Sequence, residues 1–259
     1  MEKNGRKEVI VLKNIKQSFV VGDETVRVLS ESSFSIEEGS FNIIFGPSGS
    51  GKSTLLNILS GLQKPTAGSA TFFANDIYSF KPDQLAFFRA NQIGVVYQTS
   101  YWVNSLNVIE NVSIPLFFLG LMRKDAEKRA MDALQRVDMA PYAKKSPLVL
   151  SGGEQQRVAM ARAIVADPAF IIADEPTGSL DSKNGEMIMS LLQSYNKDLK
   201  RTIVLVTHNM EYLPLSDHLI EITDGKCVSL GKENALKVTD KLIAEMKARI
   251  GRLRQAGNK

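Results

Sequence analysis

The sequence contains few of the residues that build disulfide-linked or zinc-binding proteins. Its 259 residues include one cysteine, Cys227, and two histidines, His208 and His218. One cysteine cannot form an internal disulfide, and no Cys/His cluster with metal-ligand spacing occurs in the sequence. With 44% hydrophobic residues, the chain is instead predicted to be held together by an ordinary hydrophobic core.

Long apolar runs are also lacking. The nearest approach to one, Ile114–Met122, is short and is interrupted by Pro115 and Gly120, whereas a helix that spans a bilayer needs about 20 apolar residues. The first seven residues, MEKNGRK, lack the apolar core of a secretory signal. We therefore expect a cytoplasmic chain that has no membrane span of its own.

The net charge of +4 is unevenly distributed along the chain. Residues 232–259 contain eight Lys/Arg and three Asp/Glu, so this segment carries +5 and the rest of the chain −1. Apolar residues from Leu242 to Leu253 recur at helical spacing, which predicts an amphipathic helix with a basic outer face. Because the remainder is not basic, nucleic-acid binding is not expected. The basic helix is expected to pack on the domain, contact a partner or lie at an anionic membrane surface.

The apolar pattern predicts an α/β fold. Val9–Phe19 and Val26–Ile36 alternate apolar and polar residues on either side of Gly22-Asp23, which predicts an antiparallel hairpin. Continuous apolar runs, typical of strands buried on both faces, predict a central sheet. The further predicted strands are Phe41–Phe45, Ser69–Phe73, Ile93–Tyr97, Phe170–Ala173, Thr202–Val206, His218–Ile222 and Lys226–Leu230.

Between two of the central strands the pattern becomes helical. One predicted helix begins near Val108 and is expected to end or kink at Pro115, and a second covers Asp125–Met139. A third runs from Gly153 to about Ala166, and Asn184–Leu199 forms a later helix. We interpret residues from about 99 to 165 as a helical subdomain inserted into the α/β fold.

A glycine-rich stretch between the strand at Phe41–Phe45 and a following helix predicts a phosphate-binding loop, the P-loop. Its glycines let successive N–H groups point at phosphate oxygens, and the helix that begins near Lys52 adds its positive N-terminal dipole. Lys52 can reach the β- and γ-phosphates, and the Ser53 hydroxyl can bind Mg²⁺. The nucleotide-binding residues predicted here are Gly46, Ser48, Gly49, Ser50, Gly51, Lys52, Ser53 and Thr54. The chain is therefore predicted to bind a nucleoside triphosphate.

Two adjacent carboxylates predict hydrolysis of that nucleotide. Asp174 and Glu175 follow the apolar run Phe170–Ala173, at the end of a strand where α/β proteins bind ligands. Asp174 is expected to hold Mg²⁺, and Glu175 to polarise the attacking water. A strand that simply ends in solvated acids is the alternative interpretation.

The stretch Leu150–Arg157, LSGGEQQR, makes the assignment more specific. Ser151 and two glycines at the start of a predicted helix can form a second anion-binding site. The stretch resembles the signature of ATP-binding cassette (ABC) ATPases, and the resemblance covers the chain from the N-terminal hairpin to about Leu230. It implies an ABC ATPase domain over residues 1–230, followed by the basic helix over 231–259. The implied fold is a central, mostly parallel sheet with an N-terminal antiparallel β subdomain and an inserted α-helical subdomain.

The same resemblance implies a head-to-tail dimer of two copies with ATP between them. In one chain the signature would lie too far from its own P-loop to share a phosphate. In the family, the signature serine of one subunit reaches the γ-phosphate that the other subunit holds. The residues implied to contact the partner's ATP are Ser151, Gly152, Gly153 and Asp181.

Further roles follow from the resemblance. Gln98 is implied to contact Mg²⁺ and water and to connect with the helical insertion, and His208 to contact the γ-phosphate. Phe19 stands where the family has an aromatic residue that stacks on adenine, although a core residue is the alternative. His218 has no such support and is interpreted as structural. The implied Mg²⁺ ligands are Ser53, Gln98 and Asp174, and the implied catalytic residues are Glu175, His208 and Lys52.

Within the family, three stretches resemble the MacB/LolD/FtsE group: Ile109–Val112, Val158–Ala163 and Ala173–Ser182. These ATPases work with membrane permease subunits that carry extracytoplasmic domains and transmit motion, for export, lipoprotein release or cell-wall regulation. The sequence departs from the group at Tyr101–Asn107, in the region that usually touches the membrane partner. The resemblance implies a peripheral location at the cytoplasmic face of the membrane.

Two other functions remain possible at this stage. One is the ATPase of an ordinary ABC importer or exporter. The other is a soluble ABC ATPase of DNA repair or translation, which the single continuous cassette, with about 120 residues between Lys52 and Asp174, fits poorly.

Overall fold

The computed structural model describes residues 6–231, 237, 238 and 240. Within them, ten strands form two sheets. The strands are β1 Glu8–Val21, β2 Glu24–Glu37, β3 Phe41–Phe45, β4 Ala67–Phe72, β5 Asn75–Asp76, β6 Ile93–Val96, β7 Phe170–Asp174, β8 Thr202–Val206, β9 His218–Thr223 and β10 Lys226–Gly231. The basic helix predicted beyond residue 231 lies outside the described residues, apart from three isolated positions.

The central sheet has six strands in the order β10-β9-β3-β8-β7-β6, and all neighbours are parallel except β9 and β10. The second sheet is antiparallel, in the order β2-β1-β4-β5. Strand order in the central sheet places β3 between β9 and β8, so the loop after β3 emerges in the middle of the sheet's carboxyl edge. This arrangement confirms the predicted fold class.

Six α-helices and four 3₁₀ turns connect the strands of the described chain. The helices are α1 Lys52–Leu59, α2 Pro82–Gln92, α3 Val108–Phe118, α4 Arg123–Arg136, α5 Gly152–Ile164 and α6 Ser182–Lys197; the 3₁₀ turns are Ile77–Ser79, Ala140–Tyr142, Pro147–Val149 and Met210–Leu215. Three of the helices, α3 to α5, lie between β6 and β7 in the chain. No helix in the described part of the chain is long and apolar enough to cross a membrane.

Two hydrophobic cores enclose the central sheet. Phe41, Ile43 and Phe45 of β3 face the core that contains residues of α3 to α6, whereas Ile44 faces the core built with α1 and the antiparallel sheet. Because side chains alternate along a strand, each central strand contributes to both cores. The sheet is thereby fixed between two layers, and the loops at its carboxyl edge start from rigid positions.

Two local predictions were incomplete or wrong. Helix α2 was missed because none of its residues is fully buried, so its apolar pattern is weak. Pro115 does not end α3, which continues to Phe118. An interior proline costs about 3 kcal/mol, but the next residue, Leu116, is completely buried in the core, and such burial contributes about 1.5–3 kcal/mol.

Candidate nucleotide site

The P-loop occupies the bend between β3 and α1. Gly46 has φ 155° and Gly51 has φ 105°, conformations that residues with a Cβ rarely adopt. A Cβ at Gly46 would lie 2.1 Å from the Ile222 carbonyl oxygen, and one at Gly51 would lie 3.0 Å from the Val28 carbonyl oxygen. The loop therefore packs directly against β9 and β2, and glycine is required at both positions.

The N-terminus of α1 has no side-chain cap. Gly51 is its N-cap residue, and the first turn contains no acidic residue. The Lys52 ammonium donates hydrogen bonds to the carbonyl oxygens of Gly46 (2.8 Å) and Pro47 (2.7 Å). Uncapped N–H groups, a helix dipole and an ammonium group together form a surface suited to a phosphate.

Other residues of the loop are placed differently. Ser48, Gly49 and Ser53 are exposed, whereas Thr54 is half-buried. The Ser50 hydroxyl is buried and meets no hydrogen-bond partner among the described residues. A contact between Ser50 and a phosphate would therefore have to use the main chain.

Asp174 and Glu175 lie where β7 ends, beside β8. Asp174 pairs with Val206 in the sheet, and the Glu175 N–H donates to the Val206 carbonyl oxygen at 2.9 Å. Burial raises the pKa of Asp174, the negative charge of Glu175 raises it further, and Lys52 lowers it. Lys52 and the two carboxylates thus share one electrostatic environment.

Glu175 also meets the end of β8 through a histidine. His208 Nδ1 lies 2.8 Å from Glu175 Oε2, with the glutamate side chain 16% exposed and the histidine 72% exposed. Glu175 has φ 45°, an uncommon conformation for a residue with a side chain. The turn directs its carboxylate along the sheet edge toward His208, while the imidazole stays open to solvent.

Gln98 comes after β6 and is exposed. A Cβ at Gly178 would lie 3.3 Å from Gln98 Nε2, and the Gly178 N–H donates to the Glu175 carbonyl oxygen at 3.0 Å. The glutamine side chain therefore packs against the turn that follows Glu175. Predicted residues from four separate segments meet at this edge.

The oxygen donors at this edge fit Mg²⁺, which prefers hard oxygen ligands and keeps several waters. Ser53, Gln98 and Asp174 would supply a hydroxyl, an amide oxygen and a carboxylate. Because burial disfavours the charged form of Asp174, a cation beside it would stabilise the carboxylate. Within the described residues there is no cluster of three or more His, Cys, Asp or Glu suited to a metal, so phosphate and water would have to complete this ligand set.

Ser151 caps helix α5. Its hydroxyl accepts from the Glu154 N–H (3.4 Å), while its own N–H donates to Glu154 Oε2 (2.8 Å), the reciprocal pattern of a capping box. The Ser151 hydroxyl also donates to Glu154 Oε2 at 2.9 Å, and the two hydrogen bonds that this carboxylate accepts from Ser151 lower the pKa of Glu154. Although it caps the helix, Ser151 is exposed to solvent, and so is Gly152.

The two signature glycines have different surroundings. A Cβ at Gly153 would lie 2.5 Å from the side chain of Asn184, whereas a Cβ at Gly152 would have Leu180 Cδ2, at 4.0 Å, as its nearest neighbour. Asn184 is in turn held by Asp181, which caps α6 and accepts from the Asn184 N–H at 2.8 Å. Packing against Asn184 therefore explains why residue 153 is glycine. No such packing among the described residues explains glycine at residue 152.

Phe19 lies near the end of β1 and is 40% exposed. It belongs to neither hydrophobic core, so the alternative interpretation of a core residue is not supported. Val20 and Val21 beside it are also exposed. The ring is available for stacking on a flat ligand.

An apolar groove that the sequence did not predict lies between α2, α3 and α5. Its volume is about 460 Å³, and its walls include Leu62, Tyr101, Val103, Ile114 and Phe118. Four of these five are exposed hydrophobic residues. The groove combines segments from three helices and could not be read from one stretch of sequence.

Comparison with known proteins identifies the family of the chain. The family model described as ABC transporter matches residues 29–178. The chain is 40% identical over 220 residues to the uncharacterized ABC transporter ATP-binding protein YvrO of Bacillus subtilis, covering 85% of this chain and 96% of that protein. It is 39% identical over 230 residues to the macrolide export ATP-binding/permease protein MacB of Bartonella henselae, covering 89% of this chain and 34% of MacB.

A solved structure with the same fold is that of the ATP-binding cassette MJ0796, a dimer in a post-hydrolysis state bound to ADP and Pi. It superimposes with a TM-score of 0.81 at 37% identity, covering 86% of this chain and 98% of that one. MJ0796 is a protein of Methanocaldococcus jannaschii. With a family model that matches more than half of its residues and relatives at about 40% identity, the chain belongs to the ABC transporter family and is an ATP-binding ATPase subunit with MacB among its homologues.

Proposed function

We propose that two copies of this chain bind two ATP molecules between them, head to tail, and that closing and reopening of this dimer drives membrane permease subunits of the MacB type. The observation that carries the dimer is the open surface at Ser151 and Gly152. Glycine within a helix costs up to about 1 kcal/mol relative to alanine, and among the described residues no atom would lie closer than 4.0 Å to a Cβ at Gly152. A phosphate that approaches from a partner copy explains why this position has no side chain.

Different residues at the carboxyl edge of the central sheet bind different parts of ATP and its Mg²⁺. Lys52 and the N–H groups of the P-loop hold the β- and γ-phosphates, and Phe19 stacks on the adenine. Ser53, Gln98 and Asp174 would hold Mg²⁺, which when bound neutralises phosphate charge.

Glu175 acts as the general base that orients and deprotonates the attacking water. His208, fixed by its contact with Glu175, binds the γ-phosphate. Ser151, the N–H groups of Gly152 and Gly153, and Asp181 complete the site from the partner copy.

The permease partner is supported by the MacB relative and by the apolar groove. MacB is named as both an ATP-binding and a permease protein, and this chain matches 34% of its length. We propose that membrane permease subunits of this type hold the chain at the cytoplasmic face of the membrane. The groove beside Tyr101 and Phe118, with its exposed apolar walls, offers the surface on which such a subunit could dock.

Replacing the two neighbouring glycines one at a time tests the dimer. Gly152→Ala should leave thermal stability equal or higher and ATP binding by the monomer unchanged, because the added methyl would come no closer than 4.0 Å to any atom of the described residues. It should abolish the ATP-driven dimer. Gly153→Ala should instead lower stability, since its methyl would overlap Asn184.

Gly231→Ala is the matched control, because a Cβ there meets no atom of the described part of the chain within 4 Å. Size-exclusion chromatography with light scattering, with and without ATP, measures dimer formation. An ATP-driven dimer that survives in Gly152→Ala would contradict the proposed arrangement.

The membrane subunits that copurify with the tagged full chain test the type of complex. Subunits with large extracytoplasmic domains would support the MacB type. Channel-like subunits with a substrate-binding protein would indicate an ordinary importer instead.

A further inference from the structure

The loop that carries Gln98 is fastened to helix α5 by an arginine and a tryptophan. The Arg162 guanidinium donates to the carbonyl oxygens of Ser100 and Tyr101. It also lies over the Trp102 ring, with its central carbon 4.6 Å from the ring centroid. Burial lowers the pKa of Arg162, so its hydrogen bonds and ring contact form where water competes weakly.

Two glutamines of α5 add to this attachment. The Trp102 indole N–H donates to Gln155 Oε1 at 2.8 Å, and Gln155 Nε2 donates to the Leu150 carbonyl oxygen at 3.0 Å. The neighbouring Gln156 is buried and donates to the Tyr97 carbonyl oxygen at 3.1 Å. Contacts with α5 therefore flank Gln98 on both sides, at residue 97 and at residues 100–102.

The far end of the loop is fixed as well. Asn111 of α3 is completely buried; it accepts from the Val103 N–H at 2.9 Å and donates to the carbonyl oxygens of Val103 and Leu106. The stretch in which the sequence departs from the MacB-like pattern, residues 101–107, is thus held between α3 and α5. We name the contacts among Trp102, Gln155 and Arg162 the 102–162 joint.

The joint connects two parts of the nucleotide site. Gln98 packs against Gly178 in the turn after Glu175, at the P-loop side of the site. Gln155 reaches the carbonyl next to Ser151, which is the residue offered to the partner's nucleotide. The joint therefore lies in a continuous series of contacts that runs from the Gln98 loop to the N-terminus of α5.

We propose that the 102–162 joint makes the Gln98 loop and the N-terminus of α5 move as one rigid body, so that Trp102 and Arg162 are positioning residues for ATP hydrolysis. This rests on the proposed function, because the two ends act on different nucleotides only in the dimer. The joint acts through Gln98 and has no direct contact with the nucleotide. The effect of the joint on ATP turnover must therefore depend on the Gln98 side chain. A joint that only stabilised the fold would affect turnover whether or not Gln98 were present.

Turnover measured in two backgrounds tests that dependence. Trp102→Phe keeps a ring over Arg162 but removes the indole N–H, and it should lower ATP turnover about fivefold, as expected for one lost buried hydrogen bond. In a Gln98→Ala background the same change should lower turnover less than about twofold. An equal loss in both backgrounds would refute the proposal.

Gln155→Leu should reproduce the effect of Trp102→Phe, because it removes the acceptor of the same hydrogen bond. Gln193→Leu is the matched control: it lies on α6, where its amide oxygen accepts a hydrogen bond from Lys197 of the same helix, and turnover should not change. If Gln155→Leu were as active as this control, the proposal would fail. Thermal unfolding of each variant shows whether the fold is retained.

Fluorescence tests whether the joint stays closed. Trp102 is the single tryptophan of the chain, so acrylamide quenching reports on it alone. In Glu175→Gln protein, ATP should leave quenching unchanged or lower it, whereas Gln155→Leu should raise quenching about twofold. Increased quenching on ATP addition with the joint intact would overturn the proposal. Failure of ATP to dimerise Glu175→Gln protein would instead count against the dimer itself.

Discussion

The helices α1 and α5 begin in opposite ways. The first turn of α1 has a glycine N-cap, no side-chain cap and no acidic residue. Helix α5 begins with Ser151 and Glu154 in a complete capping box. One N-terminus therefore presents unsatisfied N–H donors and a lysine, whereas at the other the Ser151 and Glu154 N–H groups are bonded by side chains of the capping box, which also carries a carboxylate.

The different capping of the two helices indicates which N-terminus can bind a phosphate without a second copy of the chain. At α1 an anion meets free donors, the Lys52 ammonium and the helix dipole, which by itself contributes about 0.3–1 kcal/mol. At α5 an incoming phosphate has to share the Ser151 hydroxyl with Glu154 and lies near that negative charge. We infer that ATP binds first at α1 and that α5 engages a phosphate already held by the partner copy.

The largest effect is expected for Glu175→Gln, which leaves both helix N-termini intact. The amide keeps the size of the carboxylate beside His208 but cannot take a proton from water. Because general-base catalysis contributes about 10²–10⁴-fold, turnover should fall at least about 100-fold. ATP should still bring the two copies together.

Phosphate release and light scattering measure these two quantities for Glu175→Gln. Hydrolysis near the wild-type rate would remove Glu175 from the role of base. Loss of ATP-driven dimerisation would show that the substitution also disturbs binding.

A smaller effect, confined to the α1 side, is expected for Lys52→Ala. Loss of charge-assisted hydrogen bonds to phosphate costs about 1.5–3 kcal/mol, so ATP affinity should fall about 10- to 100-fold in isothermal titration. Lys197→Ala on α6 is the matched control, because its ammonium donates to Gln193 on the same helix, away from the nucleotide site. Unchanged ATP affinity in Lys52→Ala would remove the distinction between the two N-termini.

The smallest effect is expected for Ser151 variants, which change only the α5 side. Ser151→Ala should cost about 1 kcal/mol of folding stability through loss of the cap, with ATP affinity of the monomer unchanged and turnover reduced about tenfold. Ser151→Asp should keep the cap but repel the partner's phosphate, and so reduce turnover more than alanine does.

Thermal unfolding and turnover, measured for both Ser151 variants, separate the two roles of this residue. If turnover followed helix stability, with aspartate closer to wild type than alanine, Ser151 would be a cap only.

Much of this architecture could be predicted from local sequence. The strand Phe41–Phe45 and the helix that starts at Lys52 were predicted correctly, because a continuous apolar run and a glycine-rich loop are local signals. Helix α2 was missed because half-buried residues leave little periodicity. The continuation of α3 past Pro115 depends on how Leu116 packs in the core, which no local rule contains.

In the candidate site, too, some features could be predicted from local sequence and others depend on tertiary packing. Gln98, Glu175 and His208 were selected by motif and family resemblance, and their catalytic roles remain predictions. The 2.8 Å contact between Glu175 and His208 arises because β7 and β8 are parallel neighbours in register at Asp174 and Val206. Contacts between residues so far apart in sequence depend on strand order.

Local sequence is sufficient to predict the phosphate-binding loop, because its residues are contiguous and glycine encodes their backbone conformation locally. The packing of separate segments establishes which parts of the signature have a role inside the chain. The tertiary structure shows that Gly153 packs against Asn184 while Gly152 remains open, and that Trp102 and Arg162 fasten the Gln98 loop to α5. These distinctions depend on the packing of separate segments, and no stretch of sequence specifies them alone.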